Sequence, residues 1–256
     1  MTTLACVGLC RQFGALRAVD GVDLVLPEGS RHALIGPNGA GKSTLFRLLA
    51  GGLRPSAGRI FLDGGDITHL EETRRAQLGI GQTFQHSSLF LSMAASENIR
   101  LAAQRSLGRP WWPLPCSFPT VRERVEQLLG AVGLSGRGEA PVASLSHGER
   151  RQLEVAVALA TRPRVLLLDE PAAGLSPAET ARLSELIAGL PRDVALLFVE
   201  HDLDLVFRLA TQVTVMHLGG VLMQGTPEEV RVSPEVQAAY LGTGQREDLF
   251  LPRGPE

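Results

Sequence analysis

The sequence predicts an α/β fold in which a parallel sheet is buried among helices. Three apolar runs carry that reading: His32–Ile35, Val165–Leu168 and Val194–Val199. None alternates polar with apolar, as expected of strands covered on both faces, and each is too short for a core helix. Each also leads through a loop into a helical pattern, the strand, loop and helix order from which parallel sheets are built.

A chain of 256 residues can bury a substantial core in one large domain or two modest ones. Its 20% charged and 44% hydrophobic residues are ordinary globular values, and a net charge of -2 gives no electrostatic case for a nucleic-acid partner. Cys6, Cys10 and Cys116 are an odd count with no metal spacing, so they read as buried free thiols. The start lacks a basic stretch followed by an apolar core, and runs such as Val194–Val199 fall far short of the roughly 20 residues of a spanning helix. A soluble, cytoplasmic chain is expected.

The first run opens "HALIGPNGAGKSTLFRLLAGG", residues 32–52. It reads as strand, then loop Gly36–Gly41, then a helix over Ser43–Ala50, the context in which G-x-x-x-x-G-K-S cradles phosphate. The backbone of Gly36, Pro37, Asn38, Gly39, Ala40 and Gly41 wraps the phosphates, and the helix start at Lys42, Ser43 and Thr44 points N–H groups at them. Lys42 reaches the β and γ phosphates, and the Ser43 hydroxyl ligates Mg²⁺. Of 25 basic residues Lys42 is the sole lysine, so a guanine-reading Asn-Lys-x-Asp motif is impossible and ATP is the expected nucleotide.

The second run ends in Asp169 and Glu170. Both emerge at the carboxyl edge of the sheet, where α/β folds bind ligands. Strand alternation sends Asp169 toward Mg²⁺ and Glu170 toward the water that attacks the γ-phosphate, with Glu170 as general base. The third run is followed by His201, which falls at the same edge and is assigned to the γ-phosphate and the attacking water. These features together predict a P-loop NTPase with a RecA-like core.

Between the first two runs lies "ASLSHGERRQLEVAVALA", residues 143–160. It reads as a small loop capping a helix, with Leu153, Val157 and Ala160 near one face and Arg150, Arg151 and Glu154 toward another. Such a helix start attracts an anion.

The order of phosphate loop, "GIGQTFQHSSLF", Leu-Ser-His-Gly-Glu loop, Asp-Glu strand and His strand resembles the ATP-binding subunits of ABC transporters over nearly the whole chain. The resemblance implies that Leu145, Ser146, His147, Gly148 and Glu149 form the signature motif, usually Leu-Ser-Gly-Gly-Gln, which meets the γ-phosphate held by a second subunit. His147 and Glu149 depart from that pattern. His147 is expected to be neutral and solvent-facing, and Glu149 to point away from the anion. Ser176 stands where the family's next loop usually ends in Asp, which weakens communication between subunits through that position. By the same resemblance Gln85 touches Mg²⁺ and relays nucleotide state, and Phe13 stacks on adenine, with plain core as the alternative for Phe13.

The wording "TFQHSSLFLSMAASENI", "EPAAGLSPAE", "VEHDLDLV" and "VQAAYLG" is similar to subunits that power import of branched-chain amino acids, with relatives serving urea or other amides. The implied partners are permease subunits, a second ATPase subunit of the same or a different kind, and indirectly a solute-binding protein, at the cytoplasmic face of a membrane. The Trp111–Trp112 loop, residues 107–119, would rest on the permease or headgroups, or on its own subdomain. Residues 1–88 and 161–256 are assigned to the catalytic core with its antiparallel sheet, closing in a hairpin turned at Gly219-Gly220, and residues 89–160 to a helical subdomain. Two rival classes are an ABC ATPase acting on nucleic acid, for which length and basic character are missing, and a scaffold that binds ATP without turnover.

Overall fold

The computed structural model describes residues 2–83, 89–106 and 119–241. Two long antiparallel strands, β1 (Thr2–Phe13) and β2 (Leu16–Pro27), open the chain. Next come β3 (Arg31–Ile35) and α1 (Lys42–Ala50), joined by residues 36–41. The strands β4 (Ala57–Leu62) and β5 (Gly65–Asp66) then complete a four-stranded antiparallel sheet in the order β2-β1-β4-β5.

A short helix, α2 (Glu72–Gln77), leads to β6 (Ile80–Gln82), and α3 (Ala95–Ser106), α4 (Pro119–Ala131) and α5 (His147–Ala160) follow. The remainder alternates: β7 (Val165–Asp169), α6 (Pro177–Ala188), β8 (Ala195–Val199), α7 (Leu203–Leu209) and β9 (Gln212–His217). It closes with β10 (Gly220–Gly225), α8 (Pro227–Val232) and α9 (Pro234–Leu241). The second sheet runs β10-β9-β3-β8-β7-β6 and is parallel except for the β9–β10 hairpin. The predicted α/β class is therefore observed, with each of the three apolar runs in the parallel part. The hairpin turns on Leu218 and Gly219, both with positive φ (49° and 85°), one residue earlier than the glycine pair suggests. Such a turn matches the twist of the flanking strands.

The six-stranded sheet divides the core in two. Along β7, Val165 and Leu167 pack with Leu45, Phe46, Leu48 and Leu49 of α1. The alternate residues Leu166 and Leu168 pack on the other side with Leu153, Val155 and Ala156 of α5, together with Ile99 of α3 and Leu128 of α4. Period-two alternation on a fully buried strand thus sends α1 and α5 to opposite faces. The four-stranded sheet joins the α1 side through Leu4, Leu9, Val22 and Ile60.

One sequence expectation fails here, and one polar stripe proves to be buried. Cys6 is buried, its thiol pushed up to about 12 by that burial, but Cys10 is only half-buried and its sulfur accepts the Gly21 N–H at 3.1 Å. Cys116 lies outside the described residues. The Arg151 and Glu154 side chains of α5 do not face solvent: they are 11% and 8% exposed and paired at 2.8 Å. Helical periodicity marks a polar stripe but does not reveal that backbone carbonyls wait to receive it.

His32, in the parallel sheet, has its Nε2 2.7 Å from the Thr214 hydroxyl, while its Nδ1 is buried without a partner among the described residues. Burial lowers the imidazole from 6.5 to about 4. The unfolded chain therefore binds a proton between those values that the fold refuses, so stability is complete above about pH 6.5 and declines as pH falls toward 4. The loss across that window is on the order of 3 kcal/mol. Urea titrations of wild type and His32→Gln at pH 7 and pH 4.5 should show a stability loss on acidification that is clearly smaller in the variant. Equal losses would place the acid-sensitive group elsewhere.

Candidate functional site

Register aligns the carboxyl ends of three strands. Leu34 of β3 and Asp169 of β7 both pair with Val199 of β8, which lies between them. The loop after β3, the Asp169–Glu170 corner and His201 therefore open on one sheet edge.

The loop needs its glycines. A Cβ on Gly36 would lie 2.2 Å from the Met216 carbonyl oxygen, and one on Gly41 would lie 2.2 Å from that of Ala18. Both positions also have positive φ. Gly41 caps α1 with no side-chain hydrogen bond, so the first N–H groups of α1 are left for a ligand. Lys42 is buried and folds back over the loop, its Nζ donating to the Gly36 carbonyl at 2.6 Å and the Pro37 carbonyl at 3.0 Å. Burial lowers the pKa of its ammonium, opposed by Glu170 and Asp169. Asn38, Gly39 and Ser43 are exposed at the mouth, Thr44 is half-buried and Ala40 is buried.

Asp169 is buried, and its Oδ1 has no hydrogen-bond partner among the described residues. Burial raises its carboxyl above the usual range, followed by the nearby Glu170, while Arg151, His201 and Lys42 act in the opposite sense. A hard carboxylate oxygen left orphaned beside a phosphate loop fits a divalent cation such as Mg²⁺.

Glu170 does not continue the strand. Its φ of 47° is left-handed, and this reversal, rather than strand alternation, separates its carboxylate from that of Asp169. Its N–H donates to the Val199 carbonyl at 2.9 Å, and its Oε1 lies 2.9 Å from His201 Nε2. A carboxylate only accepts, so the imidazole donates through Nε2. His201 thus rests on Glu170.

At the start of α5, Ser146 and Glu149 form a reciprocal cap. Glu149 N–H donates to Ser146 Oγ at 3.2 Å, and Ser146 N–H donates to Glu149 Oε2 at 2.8 Å. The Glu149 carboxylate is also paired with Arg137 at 3.3 Å. An acid at this position is thereby turned back into its own helix end. His147 is exposed, as expected, with its ring directed at Gly174, and Gly148 is packed against the Glu179 carboxylate of its own chain. Ser176 caps α6 with Glu179 in the same reciprocal way.

Phe13 is not core. It is 42% exposed at the end of β1, with the Arg11 guanidinium 4.5 Å from its ring centre. Gln85 and residues 107–118 of the Trp111–Trp112 loop lie outside the described residues, and Pro119, read as part of that loop, begins α4.

Two groups were missed. Glu200, directly after β8, is buried and accepts from the Ala172 N–H at 2.8 Å and the His201 N–H at 3.1 Å, tying the two sheet-edge corners together. Burial raises its carboxyl, opposed by these backbone bonds. It follows directly on a core strand, as Glu170 does after β7, and that signal could have found it. Arg151 donates to the carbonyls of Asp169, Glu170 (2.8 Å) and Pro171 (3.3 Å). No local pattern announces that contact.

A parallel core, a glycine-bound phosphate loop and an acid-ended strand one strand away define a P-loop nucleotide-hydrolysing domain. The ABC transporter family profile matches residues 19–173, and a profile described as branched-chain amino acid ATP-binding cassette transporter matches residues 221–245. The chain is 41% identical, over 92% of its length and 96% of the relative's, to the high-affinity branched-chain amino acid transport ATP-binding protein BraF of Pseudomonas aeruginosa. LivG of Escherichia coli, with the same description, is 38% identical over 92% of this chain and 96% of its own. The fold matches the ADP conformation of MJ1267, an ATP-binding cassette of an ABC transporter, with a TM-score of 0.82 and 29% identity, over 94% of this chain and 99% of that one. It also matches cbiO1 from Clostridium perfringens, part of a cbiONQ transporter complex, with a TM-score of 0.78 and 29% identity, over 93% of each chain. The chain belongs to the ABC transporter ATP-binding family and is an ATPase of that family.

Proposed function

We propose that this ATPase powers import of branched-chain amino acids through separate permease subunits, bound peripherally at the cytoplasmic side of the membrane, and that it works as a dimer. The relatives named above support the solute class, as does the C-terminal profile. No helix among the described residues is long and apolar enough to cross a membrane; the relatives' description as transport ATP-binding proteins supports the permease partner.

The observation that carries the dimer is the placement of α1 and α5 in the two different cores on either side of the six-stranded sheet. On this reading the anion-seeking end of α5, packed in the other core from the phosphate-loop helix, serves a phosphate held by a second chain. Ser146 Oγ accepts from Glu149 N–H, which leaves the hydroxyl proton to donate outward to that phosphate.

Within the site, residues 36–44 wrap the phosphates and Lys42 turns its ammonium from the loop carbonyls to the β and γ oxygens. Ser43 and Asp169, with Gln85 by the family resemblance, would hold Mg²⁺, which would supply charge neutralisation for the transferred phosphoryl group. Glu170 takes the proton of the attacking water, and His201 Nε2–H orients Glu170 and then the γ-phosphate. Phe13 offers its exposed face to the adenine. Reconstituted in vesicles with the permease subunits that co-purify with it, the chain should drive ATP-dependent leucine, isoleucine or valine uptake. Ser146→Ala should reduce uptake and ATP-driven association together. Uptake of an unrelated solute alone would overturn the import assignment, and undiminished association in Ser146→Ala would remove Ser146 from the interface.

A further inference from the structure

The Ser146 end of α5 and the Glu170 corner of the same chain are joined by one side chain. Arg151 lies little more than one turn beyond Ser146 on α5. Its Nη2 donates to the carbonyls of Asp169 and Glu170, its Nε to that of Pro171, and its Nη1 to Glu154 Oε2 at 2.8 Å. Three consecutive carbonyls of a tight reversal are gathered by one planar fork, and the fork is held flat by an acid on its own helix.

The corner is secured from the other side by the sheet. Glu170 N–H is bound to the Val199 carbonyl and Ala172 N–H to the Glu200 carboxylate. Glu170 keeps its left-handed φ between these two sets of bonds. A non-glycine residue holds such a conformation only when its surroundings impose it.

We propose that Arg151 is the positioning residue for Glu170, and that it passes displacement of the Ser146 end of α5, when that end docks on a partner's nucleotide, to the base of its own chain. This rests on Glu170 being the base. The fork geometry carries the function: an ammonium has a similar charge but cannot span three carbonyls in one plane. Each site would then be set for hydrolysis by occupancy of the other, through a connection made entirely inside one chain.

The test uses the ATPase complex purified with its membrane subunits. Arg151→Lys should lower kcat by about 10 to 100-fold, the scale of a small misplacement of a reacting group, with KM for ATP little changed. Arg151→Met combined with Glu154→Leu, which leaves no buried acid unpaired, should do the same and supplies the reading if the lysine variant folds poorly. ATP-driven association, measured with Glu170→Gln added to stop turnover, should survive in both. A wild-type kcat in Arg151→Lys, or a loss confined to KM, would overturn the proposal. A double-mutant cycle with Ser146→Ala tests transmission: losses in ln kcat that overlap support it, and fully independent losses overturn it. Phosphate release by Glu170→Gln near the wild-type rate would instead show that Glu170 is not the base, whatever the Arg151 variants do.

Discussion

Glu170→Gln is expected to lower phosphate release by about 10² to 10⁴-fold while leaving ATP bound. The amide keeps the size of the side chain and an oxygen to accept from His201 Nε2, so the 2.9 Å contact and the corner can persist. What it loses is the capacity to take a proton from water. The phosphate loop and Lys42 are untouched, so nucleotide enters and the complex stops before hydrolysis. Size-exclusion chromatography with Mg-ATP should show an accumulated dimer, and a phosphate-release assay should show turnover near background. Turnover within a few fold of wild type would move the base to another residue and remove the role assigned to the left-handed corner.

Lys42→Ala is expected to weaken ATP binding by roughly 10 to 100-fold, the equivalent of about 1.5 to 3 kcal/mol for a lost charge-assisted bond. The ammonium is buried, and its bonds to the Gly36 and Pro37 carbonyls keep it poised at the inner wall of the loop. Arginine should not rescue. The loop backbone is packed so closely on Met216 and Ala18 that even a methyl group on Gly36 or Gly41 meets a carbonyl oxygen at 2.2 Å. A guanidinium has a broader head and a fixed plane, and would have to displace that backbone to reach the same oxygens. Titration calorimetry with ATP should give a weakened affinity for both variants, while thermal unfolding without nucleotide stays close to wild type. An arginine variant that binds ATP as tightly as wild type would show that charge alone matters at this position.

The sole lysine in a chain rich in arginine was a local clue that the structure explains through this crowding. The helix starts were equally legible. Ser146, Ser176 and Thr226 each precede a Glu three residues on, and each closes a reciprocal cap. These signals are readable because the interacting atoms lie within a single turn of chain. The three core strands were readable for a related reason, since burial on both faces removes alternation from the pattern itself.

The destination of the polar stripe on α5 was not legible, because periodicity reports polarity alone. Arg151 and Glu154 are polar and buried together, and their partners are carbonyls contributed by the turn after β7. Backbone carbonyls are the same in every sequence, so nothing in the residue letters of that turn marks it as the receptor of an arginine. The turn at Glu170 escaped for a similar reason: a left-handed conformation at a non-glycine residue is imposed by its neighbours, not by its own preference.

Sequence alone determined the chemistry on offer: a phosphate loop, an acid pair and a histidine, each at the end of a core strand, with a capped helix between them. Tertiary structure alone decided how they meet. It placed β8 between β3 and β7, laid His201 on Glu170 across 31 positions of chain, and sent α1 and α5 to opposite faces of the sheet. The physical reason is range: caps, loops and apolar runs are satisfied by atoms a few residues away and leave a local imprint. The alignment of strand ends and the pairing of buried polar groups depend on which strands pair, and that is settled only when the whole core packs.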